Sequence, residues 1–265
     1  MLLLKIFNTS FLSFLKENEF FKSKGIRTHT ESLKESISNY YSDFEIDVIQ
    51  PTINLSLNEV IPNLKKYDGL IWGGSSLNIY NNTIEITRQI DFAKECFKHI
   101  KNILALCWGL QVTVTAAGGV VRKSKNGTHI GIAKNIEITE NGIKHPIYKN
   151  KDKVFTTPAF NFDEVETNPP NSIHLSKNKI NFIQGLNFVT GISNVWGLQY
   201  HPEITFDKMV QLIKIRKEKL LKKKCFNSVE EIEAHIEDIN NEKIKIAEYQ
   251  RMAELKNWLD YISKS

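Results

Sequence analysis

Residues 102–111, NILALCWGLQ, place a cysteine where an apolar run that favours a strand meets a segment that favours a helix. A strand-to-helix turn holds the side chain at its tip in an exposed, strained position, and small neighbours relieve the crowding around it. Ala105 and Gly109 stand two residues before and two residues after Cys107. The positive N-terminal end of a helix favours a thiolate, so the pattern predicts that Cys107 is a nucleophile.

A second set of candidate residues closes another predicted strand, in the motif GLQYHPE. His201 and Glu203 are two residues apart, and in an extended chain such residues face the same way. Glu203 can then fix the tautomer of His201 and stabilise its protonated ring. His201 can take the proton of a thiol and return it to a leaving amine. With Cys107, this motif predicts cysteine-dependent hydrolysis.

Paired glycines follow a third predicted strand, in DGLIWGGSS. Gly73 and Gly74 lie at the carboxyl edge of that strand, where open α/β sheets place their sites. Glycine lets backbone N–H groups approach a ligand closely. Together with the N–H of Trp108, which follows the cysteine, these groups are expected to hold a developing oxyanion.

The first half of the chain alternates between strand-like and helix-like segments. Strands are predicted at 2–7, 45–51, 68–74 and 102–107, and helices at 31–44, 57–67, 83–100 and 109–119. This alternation predicts an α/β fold with a mostly parallel central sheet and helices on both faces. The segments LIW and ILAL are continuously apolar, as strands buried on both faces are.

The second half has a different pattern. Short strand-like segments with polar loops occur at 131–148, 153–162, 172–178, 180–186 and 195–203, and they predict mixed edge strands of the same sheet. Helices are predicted at 206–221, 228–240 and 248–262, the second with a capping box formed by Ser228 and Glu231. We predict one domain over residues 1–205 and a helical C-terminal extension over residues 206–265 that packs on it.

Composition limits the class of function. Of the 265 residues, 41% are hydrophobic and 25% are charged, which is ordinary for a globular protein with a normal core. The apolar runs are shorter than the ~18 residues of a membrane span, and Lys5 interrupts the first of them, so neither a membrane partner nor a signal peptide is expected.

Cysteine usage and charge add two further expectations. Three sparse cysteines indicate a reducing, cytoplasmic compartment, and they lack metal-ligand spacing, so no metal or other cofactor is expected. Much of the net charge of +5 comes from residues 214–224. We interpret that run as a solvated helix face with Ile213, Leu220 and Leu221 pointing inward, and not as a nucleic-acid site.

The ordered motifs WGGSS, LCWGLQ and GLQYHPE resemble those of the class I glutamine amidotransferases, the Cys-His-Glu triad family, and most of all its stand-alone, GMP-synthase-like members. The segments NFDEVETNPPNSIHLSKN and ELKNWLDYI extend the resemblance across almost the whole chain. It implies a flavodoxin-like sheet, a γ-glutamyl thioester intermediate and ammonia release. It also implies roles for individual residues: Cys107 as nucleophile, His201 as base, Glu203 as its orienter, Gly73, Gly74 and Trp108 as oxyanion donors, and Gln111, Phe160 and Asn161 as substrate contacts.

Four positions depart from the pattern of that family, namely Ala105, Leu110, His129 and Asn161. The last three are expected to line or brace the pocket for the amino-acid end of glutamine. Their replacement therefore leaves a related γ-glutamyl compound open as the substrate.

Three functions remain open at this stage. The first is hydrolysis of the side-chain amide of glutamine, with ammonia passing to a separate synthetase subunit, because no phosphate-cradling glycine-rich loop follows the triad. The second is a γ-glutamyl peptide or γ-glutamyl amide hydrolase with the same triad. The third is a non-catalytic binding or regulatory subunit, which the intact Cys107, His201 and Glu203 disfavour. Cys96 and Cys225 are expected to be incidental.

Overall fold

The computed structural model describes residues 2–7, 19, 21–23, 25–49 and 60–264 of the chain. These residues form thirteen strands: β1 (Leu2–Phe7), β2 (Phe44–Ile49), β3 (Gly69–Trp72), β4 (Asn102–Leu106), β5 (Val120–Lys123), β6 (His129–Ile130), β7 (Ala133–Ile138), β8 (Val154–Thr157), β9 (Phe160–Asn161), β10 (Asp163–Thr167), β11 (Ile173–Lys177), β12 (Gly185–Thr190) and β13 (Ser193–Leu198). They also form nine α-helices: α1 (His29–Ser38), α2 (Ile84–His99), α3 (Trp108–Ala116), α4 (Glu140–Lys144), α5 (Phe206–Ile215), α6 (Lys217–Lys222), α7 (Val229–Lys243), α8 (Glu248–Arg251) and α9 (Ala253–Ile262).

Nine of the strands form one sheet in the order β2-β1-β3-β4-β13-β12-β11-β7-β8. The five strands from β2 to β13 run parallel to one another. The four that follow are antiparallel and form the far edge. The predicted α/β class, a mostly parallel sheet with mixed edge strands, is confirmed.

The central strand β4 shows how both faces of the sheet are covered. All five of its residues are buried, and successive side chains point to opposite faces. Leu104 and Leu106 join the core that contains Trp258 of α9, whereas Ile103 and Ala105 join the core that contains Phe92 of α2. A strand that is buried on both sides has no polar face, which explains its uninterrupted apolar sequence.

The C-terminal helices pack against the sheet. Leu255, Trp258 and Ile262 of α9 are buried in the same core as Leu4 of β1. A Cβ atom on Gly69 would lie only 2.6 Å from the Trp258 ring, so the bare backbone of β3 is what lets this ring approach the sheet. The division of the chain between residues 205 and 206 stays a prediction. None of the helices in the described part of the chain is long and apolar enough to cross a membrane.

Several predicted elements have different limits in the structure. The helix predicted at 206–221 is broken at Arg216 into α5 and α6, and the one predicted at 248–262 is broken at Met252 into α8 and α9. Residues 61–66 of the helix predicted at 57–67 form a 3-10 helix, and residues 57–59 lie outside the described residues.

The strand-like region 131–148 contains β7 but continues into α4 and a 3-10 turn. Helix α4 packs closely on β11, since a Cβ atom on Gly142 would lie 2.0 Å from the Leu175 carbonyl. The segment predicted at 180–186 becomes a strand only from Gly185 onward, as β12. The two-stranded ribbon of β5 and β10 was not predicted. Charged residues obscure the alternation of apolar and polar side chains in these strands, and two of them, Arg122 and Glu164, pair across the ribbon at 2.9 Å.

Candidate active site

Cys107 occupies the turn between β4 and α3. Its backbone φ is 51° and its ψ is −100°, a conformation that costs energy in any residue with a side chain and that is found mostly at functional sites. Its N–H donates to the Leu198 carbonyl at 2.7 Å, which ties the turn to the end of β13. The strained strand-to-helix turn that the sequence predicts is therefore present, but Cys107 is buried in it and not exposed as expected.

Gly109 sets how closely α3 approaches the sheet. A Cβ atom at this position would lie 2.2 Å from the carbonyl oxygen of Trp72, the last residue of β3. The first turn of α3 thus packs directly on the end of a neighbouring strand. The small residue two positions after Cys107 is required by this backbone contact.

The sulfur of Cys107 is enclosed by polar groups. The side chain is 4% exposed, and Sγ lies 3.8 Å from the Phe160 carbonyl oxygen and 3.7 Å from Nε2 of Gln199. Sequence reasoning missed Gln199, although it stands two residues before His201, the same spacing that was used to pair His201 with Glu203.

His201 and Glu203 form a buried pair. Nδ1 of His201 and Oε1 of Glu203 are 2.7 Å apart, and the His201 backbone N–H donates to the Pro158 carbonyl at 2.8 Å. Their contact does not arise from extended chain as predicted. Strand β13 ends at Leu198, and the His-Pro-Glu segment that follows is a turn that brings the two side chains together.

Arg251 of α8 holds this turn from the outside. Its side chain is 4% exposed, and one guanidinium nitrogen donates to the carbonyls of Pro202 and Ile204, the latter at 3.2 Å. Sequence reasoning missed this residue too, because an arginine in a charged helical tail carries no local signal of such a contact.

The protonation of His201 is set by its two neighbours. Burial by itself lowers the pKa of His201, but the Glu203 carboxylate and the Cys107 sulfur, each through its charge and a hydrogen bond, together raise it to about 10. Both neighbours therefore favour the protonated form of the ring. An imidazolium paired with a sulfur nucleophile is the form in which cysteine hydrolases begin their reaction.

Two of the three predicted oxyanion donors, Gly73 and Gly74, lie beside the imidazole of His201. A Cβ atom on Gly74 would lie 2.9 Å from Cε1 of His201, so this glycine faces the imidazole ring. Gly73 and Gly74 line a cavity together with His201. Trp108 is the first residue of α3, where a backbone N–H has no acceptor within the helix. Its ring is turned into the core, where Nε1 donates to Gln89 at 2.8 Å.

The predicted substrate contacts share a cavity with the cysteine, which we name the Cys107 cavity. Cys107, Gln111, Phe160 and Asn161 all line it, together with Asp163. The side chain of Asn161 is already engaged, because its Oδ1 lies 3.1 Å from Nδ1 of His129 and its Nδ2 donates to Asn181 and to the Asp163 carbonyl. Asn161 thus braces the wall of the cavity.

Two of the departures from the family pattern are buried side chains. His129 is 2% exposed, and burial lowers its pKa to about 4 against smaller opposing effects of hydrogen bonds with Asn161 and Asn181. Leu110 is fully buried and packs on Gly197 of β13, where a Cβ atom would lie 2.4 Å from Cδ1 of Leu110. Leu110, which was expected to line or brace the pocket, belongs to the core and does not line the Cys107 cavity.

Side chains of both signs of charge line the Cys107 cavity. Asp163 is 3% exposed and accepts hydrogen bonds from Asn78 at 2.8 Å and from Tyr80 at 3.0 Å. Burial raises the pKa of Asp163, although both hydrogen bonds and the charges of two nearby lysines oppose this.

The basic side of the cavity comes from α6 and its two flanking residues. Arg216, Lys219 and Lys223 line the cavity, so the charged run at 214–224 is not entirely a solvated face. Ile213 and Leu220 are buried as expected. The spacing of the three basic residues, three and then four positions, places them on one face of a helix, and that spacing was a signal in the sequence.

The described residues contain no cluster of three or more His, Cys, Asp or Glu side chains placed to hold a metal ion. What the site offers is a thiol, an imidazole, a carboxylate and several backbone donors beside a cavity that carries both signs of charge. These are the groups needed for acyl transfer through a thioester.

Comparison with known proteins identifies the family. The model of the family described as Glutamine amidotransferase class-I matches residues 28–215, and the chain belongs to this family. A glutamine amidotransferase from Thermotoga maritima has the same fold, with a TM-score of 0.64 at 16% identity over 100% of this chain and 99% of that one. The predicted resemblance is confirmed.

Two relatives with assigned functions indicate the type of enzyme. The γ-glutamyl-L-1-hydroxyisopropylamide hydrolase of a Pseudomonas species is 26% identical over 256 residues, which covers 88% of this chain and 84% of the relative. Gamma-glutamyl peptidase 4 of Arabidopsis thaliana is 25% identical over 153 residues, which covers 57% of this chain and 59% of the relative. The protein is an amidohydrolase of the class I glutamine amidotransferase family.

Proposed function

We propose that this protein hydrolyses γ-glutamyl amides through a thioester on Cys107. The observation that carries the proposal is the pairing of charges in the Cys107 cavity. A γ-glutamyl group ends in an ammonium and a carboxylate on one carbon. We assign the ammonium to Asp163 and the carboxylate to Arg216, Lys219 and Lys223, all of which line the cavity. Binding at this end presents the amide carbonyl to the sulfur.

The proposed reaction uses the triad and the neighbouring backbone donors. The Cys107 sulfur forms a bond to the amide carbon, and backbone N–H groups of Gly73, Gly74 and Trp108 stabilise the oxyanion. His201 gives its proton to the nitrogen, the carbon–nitrogen bond breaks and the amine departs. Water then attacks the thioester and gives its proton to His201, and the carbon–sulfur bond breaks to release glutamate. Glu203 keeps the imidazole oriented throughout.

The relatives favour a γ-glutamyl amide over glutamine itself. The Pseudomonas relative is named for a substituted γ-glutamyl amide, and it aligns with most of this chain. The first alternative, in which glutamine is the substrate and ammonia passes to a separate synthetase subunit, uses the same triad. It differs in the leaving group, because ammonia carries no substituent that needs a binding site. We further propose that the enzyme works in the cytoplasm, where a reducing environment keeps Cys107 as a free thiol.

The test compares three substrates on the wild-type protein and on two cysteine variants. Purified full-length protein is given glutamine, γ-glutamyl methylamide and γ-glutamyl alanine, and glutamate release is measured for each. We expect turnover of the methylamide that disappears in Cys107→Ser and persists in the matched control Cys225→Ser, with near-UV circular dichroism unchanged in both. Turnover at the wild-type level in Cys107→Ser would remove the assignment of the nucleophile, and a clear preference for glutamine would favour the ammonia-donating alternative.

A further inference from the structure

A second cavity adjoins the first on the side of the imidazole, and we name it the His201 cavity. We propose that it receives the substituent on the amide nitrogen, and that it selects γ-glutamyl amides of short aliphatic amines. This inference rests on the proposed function and names the part of the substrate that the reaction releases.

The walls of the His201 cavity are mostly apolar. Leu33 of α1, Leu106 at the end of β4, Ile204, and Met209 and Leu212 of α5 all line it. Each of these five side chains is at most 5% exposed. Apolar walls stabilise hydrocarbon by removing it from water, and they offer nothing to an ammonia molecule.

The position of this cavity relative to the triad decides which part of the substrate enters it. The two cavities share Ser75, Phe160 and Arg216 as lining residues. The Arg216 guanidinium stacks on the Phe160 ring at 4.7 Å, and this pair marks the boundary between them. Cys107 lines one cavity and His201 the other. Because His201 protonates the departing nitrogen, the acyl part belongs on the Cys107 side and the amine on the His201 side.

The volume of the His201 cavity and one buried oxygen in its wall limit which amines it can hold. Its volume is about 70 Å³, room for about five groups the size of a water molecule, which corresponds to an amine of three to five non-hydrogen atoms. Glu203 also lines it, and its buried Oε2 accepts no hydrogen bond from the described residues. That oxygen can accept a hydrogen bond from a hydroxyl of the substituent. The apolar walls and the small volume therefore favour a short aliphatic substituent.

A series of substrates tests the inference on the wild-type enzyme. The value of kcat/KM is measured for glutamine, for the γ-glutamyl methyl-, ethyl-, propyl-, butyl- and hexylamides, and for γ-glutamyl alanine. We expect a rise of about fourfold for each methylene up to propyl or butyl, followed by a fall at hexyl. A flat series, or γ-glutamyl alanine as the best substrate, would overturn this inference and leave γ-glutamyl hydrolysis intact. Glutamine as the best substrate would overturn this inference and favour the ammonia-donating alternative. Absence of Cys107-dependent turnover for every compound would overturn the proposed function as well.

Two variants on α5 test whether the His201 cavity is the source of this substrate preference. Leu212→Phe fills the His201 cavity, and we expect it to lower the ratio of kcat/KM for the butylamide to that for glutamine by at least about tenfold. Ile215→Phe is the matched control, because Ile215 lies on α5 but not among the lining residues. The same ratio in Leu212→Phe and wild type would contradict the assignment. If Leu212→Phe does not fold, the wild-type series decides the question.

Discussion

The contact between Gly109 and Trp72 gives a prediction in which geometry and stability can be separated. In Gly109→Ala the new Cβ would lie 2.2 Å from a backbone oxygen at the end of β3, where an ordinary contact is 3.4 Å or longer. Because β3 lies between two other strands of the sheet, this carbonyl cannot turn aside as the end of a flexible side chain can. The first turn of α3, and with it Cys107, must therefore move by about 1 Å.

Both consequences of this movement have an expected size. Forcing an extra methyl group into a packed site destabilises a protein by about 1–3 kcal/mol. Displacing a reacting group by about 1 Å lowers the rate by about 100-fold. We therefore expect Gly109→Ala to unfold at lower urea concentration and to lose about two orders of magnitude in kcat, with a much smaller change in KM.

Gly118 at the other end of α3 provides the matched control. Its φ is +87°, and a Cβ atom there would meet nothing within 4 Å. Gly118→Ala is expected to cost about 1–2 kcal/mol through backbone strain while leaving Cys107 in place. The assays are glutamate release and urea unfolding of both variants. If Gly109→Ala kept the wild-type kcat, or if Gly118→Ala lost as much activity for a similar loss of stability, the geometric argument would fail.

Three other changes have defined outcomes. Glu203→Gln removes a charge that, with the Cys107 sulfur, holds the pKa of His201 at about 10. The alkaline limb of the profile of kcat against pH should therefore move to lower pH, and kcat should fall by about 100-fold or more. An alkaline limb at the same pH as in wild type would contradict this. Arg251→Gln frees the turn around Pro202 and should lower kcat by about tenfold with little change in KM, whereas Arg251→Lys should recover part of the loss. Burial lowers the pKa of His129 from its ordinary 6.5 to about 4, so between these pH values the unfolded chain binds a proton that the folded chain does not. The free energy of unfolding should therefore fall as the pH drops from 6.5 to 4, by up to about 1.4 kcal/mol per pH unit. Urea unfolding of wild type and His129→Gln over this range should show a weaker dependence of the unfolding free energy on pH in the variant.

The sequence determined the parallel half of the fold because its signals are local. The continuously apolar β3 and β4 and the amphipathic α2 are visible within short windows, and α3 begins where the apolar strand ends at Cys107. Periodicity of two or of 3.6 residues depends on which face of one element is buried, and one element is enough to display it. The His-Pro-Glu motif was likewise visible, although the turn that joins its two side chains was not.

Tertiary structure alone decided the walls of the site and the contacts that hold it. Gln199 reaches the Cys107 sulfur, Arg251 holds the turn after β13, and Leu33 and Leu212 meet across one cavity from helices far apart in sequence. No pattern within a single element encodes such contacts, because each depends on how two elements pack. The breaks at Arg216 and Met252 and the close approach of α4 to β11 have the same origin. A sequence displays the periodicity of each element, whereas the distances between elements are fixed only when all of them compete for the same space in the core.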